Sequence, residues 1–216
     1  MKAQKIDIEN WDRKEAFKHY QAFQNPYFNL TAPLNIGALY NYCKEKGQSL
    51  YFTYLFLATK VMNEIHEFHY RIQDDDVLWY ERVDCAPTVL SADKKLLFSH
   101  LDFIDDEKTF VLNSQKVTEE VLSSGVLDAG NRLNVIYATA IPWVSFTSVR
   151  HPFYREGGNG VPLLAFGKIY SLAGEKMIPV SLDVHHALMD GYHAGMFFEK
   201  LEAYFTQPHT ISTPKR

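Results

Sequence analysis

Residues 177–193 read MIPVSLDVHHALMDGYH, and this stretch sets the expected fold. Successive side chains of a β-strand point to opposite faces of a sheet. Ser181, Asp183 and His185 would share one face. The other face would end at His186 and carry a row of apolar side chains: Ile178, Val180, Leu182 and Val184. We therefore expect a strand that buries this apolar face with His186 directed inward, and His185 as a structural or surface residue.

The strand is followed by Asp190-Gly191, a pair typical of a turn. Asp190 then occupies the N-cap position of a helix predicted over residues 191–205. Burial disfavours the charged imidazolium, so an inward His186 would be neutral near physiological pH. A neutral, oriented imidazole can act as a general base. The same residues also fit a hydrogen-bonded core histidine followed by a helix cap, and the local pattern leaves both interpretations open.

A metal site is a third interpretation of this stretch. His185, His186, Asp190 and His193 carry the imidazole and carboxylate groups that suit zinc. However, adjacent residues of a strand point to opposite faces, so the two neighbouring histidines cannot easily share one ion. We therefore expect no metal.

The rest of the chain mixes short strands with amphipathic helices. Helices are predicted over four ranges: 12–23, 51–65, 105–122 and 191–205. Strands are predicted near residues 28–36, between 69 and 103, and in four segments of the last third: LNVIYATA, WVSFTSV, VPLLAFGKIYSL and KMIPVSLDVHH. Because the two element types do not alternate regularly, a doubly wound parallel sheet fits poorly. The expected fold is an α/β two-layer sandwich, a mixed and mostly antiparallel β-sheet with helices on one face, forming one domain over residues 1–216.

Composition excludes several function classes. The 216 residues carry a net charge of -4, with 46% hydrophobic and 22% charged residues, as in ordinary globular proteins. A nucleic-acid partner is not expected because such proteins present a basic surface. No apolar run approaches the roughly 20 residues that span a bilayer, and the first residues lack a signal-peptide pattern. We expect a cytoplasmic protein without a membrane or nucleic-acid partner.

Four segments resemble one enzyme family. HHALMDG (185–191) resembles the H-H-x-x-x-D-G signature of coenzyme A-dependent acyltransferases of the chloramphenicol acetyltransferase type. Three further segments resemble other parts of those enzymes: WDRKEAFKHY (11–20), YRIQD with APTV (70–74 and 86–89), and IPWVSFT (141–147). The matches follow the family's order over nearly the whole chain. The resemblance implies the coenzyme A-dependent acyltransferase fold.

The resemblance also implies catalytic roles. His186 corresponds to the base that removes a proton from an acceptor hydroxyl, which attacks the acetyl-CoA thioester directly. Arg13 and Asp190 correspond to a salt bridge that shapes the catalytic loop. If that pair were buried, removing one partner would cost about 3–5 kcal/mol. Thr139 stands where most relatives have a serine whose hydroxyl stabilises the oxyanion, and it also fits an ordinary β-branched strand residue.

Binding roles follow from the same resemblance. Tyr20 and Phe28 correspond to acceptor-pocket residues, and they also fit ordinary core residues. Trp143 and Lys168 correspond to positions near the thioester and phosphate ends of coenzyme A, and Lys168 also fits a solvated lysine at a strand edge. The expected partners are acetyl-CoA as co-substrate, a small hydroxylated acceptor, and two further copies in a homotrimer with active sites between subunits. No permanently bound cofactor is implied. Chloramphenicol is the default acceptor; another small hydroxyl compound, or a catalytically silent binding protein of the same fold, are the alternatives.

Overall fold

The strand predicted before the two histidines lies inside the larger of two β-sheets. The structure is a computed structural model that describes residues 2–128, 130–152 and 159–212. The strands are β1 (Ala3–Lys5), β2 (Tyr27–Asn35), β3 (Tyr70–Gln73), β4 (Asp76–Tyr80), β5 (Asp84–Leu90), β6 (Leu96–Phe98), β7 (Val135–Ile141), β8 (Leu163–Gly167), β9 (Tyr170–Leu172) and β10 (Glu175–His185). The helices are α1 (Lys14–Gln21), α2 (Gly37–Lys46), α3 (Leu50–Asn63), α4 (Glu107–Ser124) and α5 (Gly191–Thr206).

The large sheet has seven strands within the described ranges, in the order β2-β10-β8-β7-β5-β6, with β9 paired to the start of β10. β7 pairs in parallel with both β5 and β8, and every other pairing in this sheet is antiparallel. A separate antiparallel sheet has the order β1-β4-β3. The predicted mixed, mostly antiparallel sheet is therefore confirmed.

The helices cover one face of the large sheet, as expected. The apolar side chains of β10 pack in one core with residues of α2, α3, α4 and α5, among them Leu39, Leu55, Phe110, Phe197 and Leu201. Ser181 and Asp183 of β10 lie on the opposite face of the large sheet. We call it the open face because the helices pack against the other one. Both of these polar side chains are buried. The alternation of apolar and polar residues along β10 thus directs the apolar side chains toward the helices and the polar ones toward the open face.

A second apolar cluster joins α1 to the small sheet. Phe17 of α1 packs with Tyr70, Ile72 and Val77 of β3 and β4. The same cluster contains two residues from the turn that follows β10: Ala187 and Leu188. This cluster therefore packs the turn that follows the two histidines against α1, which lies more than 160 residues earlier in the sequence.

A buried arginine attaches β3 to the start of β7. The Arg71 side chain is 0% exposed and donates hydrogen bonds of 2.6–2.7 Å to four backbone carbonyls, those of Phe68, Tyr70, Leu133 and Val135. Burial lowers the pKa of Arg71 to about 10, so the guanidinium stays charged at neutral pH. Carbonyl dipoles take the place of water around this charge. The arginine thereby fixes the start of the strand that carries Thr139.

Three local expectations were wrong. Helix α2 was not predicted; only three of its residues are buried: Leu39, Tyr42 and Cys43. The segment WVSFTSV is not a strand; after Pro142 the chain leaves the sheet and lies across the end of β8, with the Lys168 amide donating to the Val144 carbonyl at 2.9 Å. The strand β10 ends at His185, one residue earlier than predicted. No helix in the described ranges has the length and apolar character needed to span a membrane.

The core predicts a specific stability loss. Leu182 is 0% exposed and sits in β10 between β2 and β8, so Leu182→Ala should lower the free energy of unfolding by about 2–5 kcal/mol. Leu172→Ala is the matched control, because Leu172 is 53% exposed on β9 and should cost far less. Urea denaturation of both variants measures the difference, and equal losses would contradict the layered core.

Candidate active site

A tight turn after β10 sets the backbone around the two histidines. The amides of Leu188 and Met189 donate to the His185 carbonyl at 3.0 and 3.2 Å. The Ala187 amide donates to His185 Nδ1 at 3.2 Å, and the His185 side chain packs against Tyr27 with ring centroids 5.0 Å apart. His185 is 1% exposed. It is therefore a structural residue, not a surface one.

The turn needs a glycine opposite Leu188. Gly160 has φ +75°, and a Cβ built on it would lie 2.3 Å from Leu188 Cδ1. The Gly160 amide also donates to the Tyr27 hydroxyl at 3.0 Å. A side chain at this position would strain the backbone and displace Leu188. The missing side chain of Gly160 thus leaves room for Leu188 in the turn.

The His186 backbone is held from two directions. Its amide donates to the Pro26 carbonyl at 2.9 Å, and its carbonyl accepts from Arg13 Nη2 at 3.4 Å. The expected inward position on the apolar strand face was wrong, because the chain has already turned at His185. The His186 side chain is instead 30% exposed. It is anchored at the backbone and open to solvent at one edge.

Two aromatic rings orient the imidazole. The Tyr20 ring stacks on His186 with centroids 4.0 Å apart and an angle of 8°, and the Phe28 ring lies 4.6 Å away at 48°. His186 Nδ1 is buried, has no hydrogen-bond partner among the residues that the structure describes, and lies 3.5 Å from Asp190 Oδ1. The exposed edge of the ring is therefore the one that carries Nε2. The structure brings Tyr20, Phe28, His186 and Asp190 into one group.

Arg13 and Asp190 meet in a two-point contact. Arg13, the residue before α1, donates from Nη1 to Oδ2 at 2.7 Å and from Nη2 to Oδ1 at 3.0 Å. The hydrogen bond from Arg13, together with its positive charge, lowers the pKa of Asp190. The side chains are 13% and 44% exposed, so the cost expected for a buried pair was too high. Such a half-exposed pair contributes about 1 kcal/mol.

His193, predicted only as a possible metal ligand, has a structural contact. The Asp190 amide donates to His193 Nδ1 at 3.0 Å, and His193 Nε2 lies 3.4 Å from Glu67 Oε1. Because Nδ1 accepts this bond, the proton of a neutral His193 resides on Nε2, facing Glu67. Asp190 is extended and precedes α5 as its N-cap residue. Within the described ranges, no group of three or more His, Cys, Asp or Glu side chains could hold a metal ion.

Thr139 lies on the open face, in a row of paired residues. It pairs with Ala165 of β8, which pairs with Ser181 of β10, and directly paired residues point to the same face. The Thr139 side chain is half-buried. Its hydroxyl is 2.8 Å from that of Thr88 on β5, a residue that was not among the predicted site residues. Strand alternation alone could not find Thr88, since the contact depends on the register of β5 and β7.

Trp143 and Lys168 lie at the end of β7 and β8. Trp143 is 67% exposed, and Lys168, also exposed, is connected to the same segment through Val144. Gly167 permits this arrangement, because a Cβ there would lie 3.0 Å from the Val144 carbonyl oxygen. β10 runs antiparallel to β8, so its last residues lie at the opposite end of the sheet.

The predicted site residues therefore form two separate groups in one chain. His186 follows Ser181 by five residues, and Ser181 is two strands away from Thr139. With ~3.3 Å per residue and ~4.8 Å per strand spacing, the two Cα atoms are roughly 19 Å apart. The first group is Arg13, Tyr20, Phe28, His186 and Asp190; the second is Thr139, Trp143 and Lys168. A single chain does not bring the two groups to one small ligand.

The Arg13 contact predicts coupled substitutions. Arg13→Gln and Asp190→Asn should each lower the free energy of unfolding by about 1 kcal/mol, and the double variant should lose clearly less than the sum. Chemical denaturation of the four proteins gives the coupling energy. Additive losses would mean that the ion pair does not contribute to stability.

The same pair predicts a pH dependence. Because the pKa of Asp190 is lowered in the folded state, its stabilisation is present above the ordinary aspartate pKa and is lost as the pH falls through the lowered value. The stability difference between wild type and Asp190→Asn should therefore disappear in acid. A difference that persists at low pH would contradict this assignment.

Comparison with known sequences shows which family this chain resembles. A profile of the chloramphenicol acetyltransferase family matches residues 1–202. The chloramphenicol acetyltransferase of Staphylococcus aureus is 30% identical over 97% of this chain and 98% of that protein. That of Clostridium perfringens is 31% identical over 94% of each chain, and that of Escherichia coli 28% identical over 92% of each.

Solved structures agree with the sequence comparison. A chloramphenicol acetyltransferase superposes with a TM-score of 0.85 at 29% identity, covering 94% of this chain and 100% of the other. The dihydrolipoamide acetyltransferase of Azotobacter vinelandii has a TM-score of 0.68 at 16% identity over 92% of this chain and 88% of the other, a likeness of fold alone. The expected acyltransferase fold is confirmed. The chain belongs to the chloramphenicol acetyltransferase family and is an acyltransferase.

Proposed function

We propose that this protein transfers the acetyl group of acetyl-CoA to a hydroxyl group of a small acceptor, with His186 as general base. The observation that carries the proposal is the fixed imidazole with its Nε2 edge open. Chloramphenicol is the default acceptor because the relatives at about 30% identity are named for it. Acetyl-CoA acts as a co-substrate that gives up its acetyl group, and free coenzyme A leaves after each turnover.

The surroundings of His186 favour the tautomer that a base needs. Nδ1 faces Asp190 Oδ1 at 3.5 Å, and a carboxylate only accepts hydrogen bonds. The neutral imidazole therefore keeps its proton on Nδ1, and the lone pair is on Nε2, at the exposed edge. The stacked Tyr20 ring holds the imidazole plane, so this lone pair has one direction. A positioned base of this kind contributes about 10²–10⁴-fold to rate.

The reaction balances without an acyl-enzyme. Nε2 of His186 takes the proton of the acceptor hydroxyl, whose oxygen attacks the thioester carbonyl carbon. The tetrahedral intermediate carries a negative oxygen, which accepts a hydrogen bond from the Thr139 hydroxyl. When the C–S bond breaks, the coenzyme A sulfur leaves with the electron pair and takes the proton from His186. The products are the O-acetylated acceptor and free coenzyme A.

A second copy of the chain completes this site. One chain holds His186 and Thr139 roughly 19 Å apart at Cα, far beyond the reach of one carbonyl group. We therefore propose that the His186 group of one subunit faces the Thr139 group of its neighbour. In a homotrimer with cyclic symmetry this contact repeats three times and leaves no group unpaired. The trimer rests on the family resemblance, and the two-group geometry supports it.

The remaining residues fit binding roles. Tyr20 and Phe28 lie beside the base, where an apolar acceptor ring would pack. Trp143 and Lys168, the other members of the Thr139 group, are exposed at the end of β7 and β8, where coenzyme A would lie across the strand ends. The Lys168 ammonium suits a phosphate, and the Trp143 ring suits the apolar pantetheine chain. Arg13 and Asp190 hold the turn and take no part in proton transfer.

The function predicts a specific loss of activity. Thiol release from acetyl-CoA should require a hydroxylated acceptor, tested with chloramphenicol and a panel of other small alcohols. His186→Ala should lower turnover by at least about 10²-fold, because it removes the base. Coenzyme A binding, measured by calorimetry, should be almost unchanged.

His209→Ala is the matched control, since His209 is an exposed histidine that packs on Tyr42 in the helix layer. It should keep full activity. If wild type binds acetyl-CoA but releases no thiol with any acceptor, the catalytically silent alternative holds. If His186→Ala stays fully active, another residue is the base.

A further inference from the structure

The contact between Thr88 and Thr139 has only one proton arrangement that is compatible with oxyanion binding. The two hydroxyl oxygens are 2.8 Å apart, and either one could donate. A hydroxyl has one proton to donate and two lone pairs that accept. If Thr139 gave its proton to Thr88, it would have none for the oxyanion. Thr88 must then be the donor.

We propose that Thr88 is a positioning residue that donates its proton to Thr139 and so directs the Thr139 proton toward the oxyanion. This inference rests on the proposed function, since it deepens the role of Thr139. A hydroxyl that accepts a hydrogen bond also becomes a stronger donor, because adjacent hydrogen bonds polarise each other. Thr88 thus acts through Thr139 and does not touch the substrate.

The sheet fixes Thr88 well enough for this role. Pro87 pairs with Ala138 in the parallel contact of β5 and β7, so the next residues along, Thr88 and Thr139, are neighbours on the open face. On its other side Thr88 pairs with Phe98 of the antiparallel strand β6. Threonine side chains are β-branched and stiff at χ1, which keeps both hydroxyls in place. Both side chains are half-buried, so water competes only partly for the bond.

The alternative is a hydrogen bond that only joins two strands. Such a bond would contribute to the free energy of unfolding, and its removal would leave turnover per folded molecule unchanged. The two roles therefore differ in what they change: kcat in one case, stability alone in the other. They differ again when Thr139 has already lost its hydroxyl.

The test compares kcat and KM for both substrates in Thr88→Val, Thr88→Ser, Thr139→Val and the double variant. Thr88→Val keeps the shape and removes the donor, so kcat should fall roughly 3- to 10-fold with KM almost unchanged. Thr88→Ser keeps the donor and should restore most of the turnover. Thr139→Val should lower kcat by about 10²–10³-fold, and adding Thr88→Val to this variant should not lower kcat further.

Thr118→Val on α4 is the matched control, because the Thr118 hydroxyl has no hydrogen-bond partner within the described ranges. It should keep wild-type kcat. If Thr88→Val does not fold, Thr88→Ala removes the same hydroxyl and carries the same test.

The outcomes separate this inference from the proposed function. If Thr139→Val is slow but Thr88→Val is as fast as wild type, the Thr88 role is wrong and the function stands. If Thr88→Val costs the same factor with and without Thr139, its role is structural and the inference is overturned. If Thr139→Val has wild-type kcat, the oxyanion assignment fails and the Thr88 role fails with it. A wild-type protein that transfers no acetyl group overturns both.

Discussion

The guanidinium of Arg13 fixes the path of the chain after β10, and the geometry around His186 depends on it. It binds both carboxylate oxygens of Asp190 and reaches the His186 carbonyl. A short turn makes few contacts of its own, so its backbone would otherwise sample many conformations. Ala187 and Leu188, packed against α1 and the small sheet, hold its middle. The Arg13 contacts and the packing of Ala187 and Leu188 together hold the turn in place while the His186 imidazole stays partly exposed.

Sequence alone could predict the buried face of β10, because alternation holds for as long as a strand stays extended. It failed at His186, where two amides of the turn bond to the His185 carbonyl and end the strand. The Arg13–Asp190 contact came from family resemblance, since nothing local connects residues 177 apart. The contact between Thr88 and Thr139 could not be predicted, because it depends on the register of two parallel strands.

The sequence contains all the predicted site residues, yet one folded chain places them in two separate groups. The direction of the strands explains this difference. Motifs follow each other along the chain irrespective of which end of the sheet they reach. β10 runs antiparallel to β8, so His186 and Lys168 are carried to opposite ends. Residues that act on one thioester must lie within a few ångströms of it. Under the proposed function, a neighbouring copy of the chain supplies the second group.

The most direct test of this account combines two inactive variants in one assembly. His186→Ala and Thr139→Val chains, carrying different affinity tags, are coexpressed and the mixed oligomers are isolated through both tags. In every mixed trimer of a cyclic assembly, one junction joins an intact His186 to an intact Thr139, so about a third of wild-type activity should return. Activity no higher than that of the separate variants would show that the site does not lie between subunits.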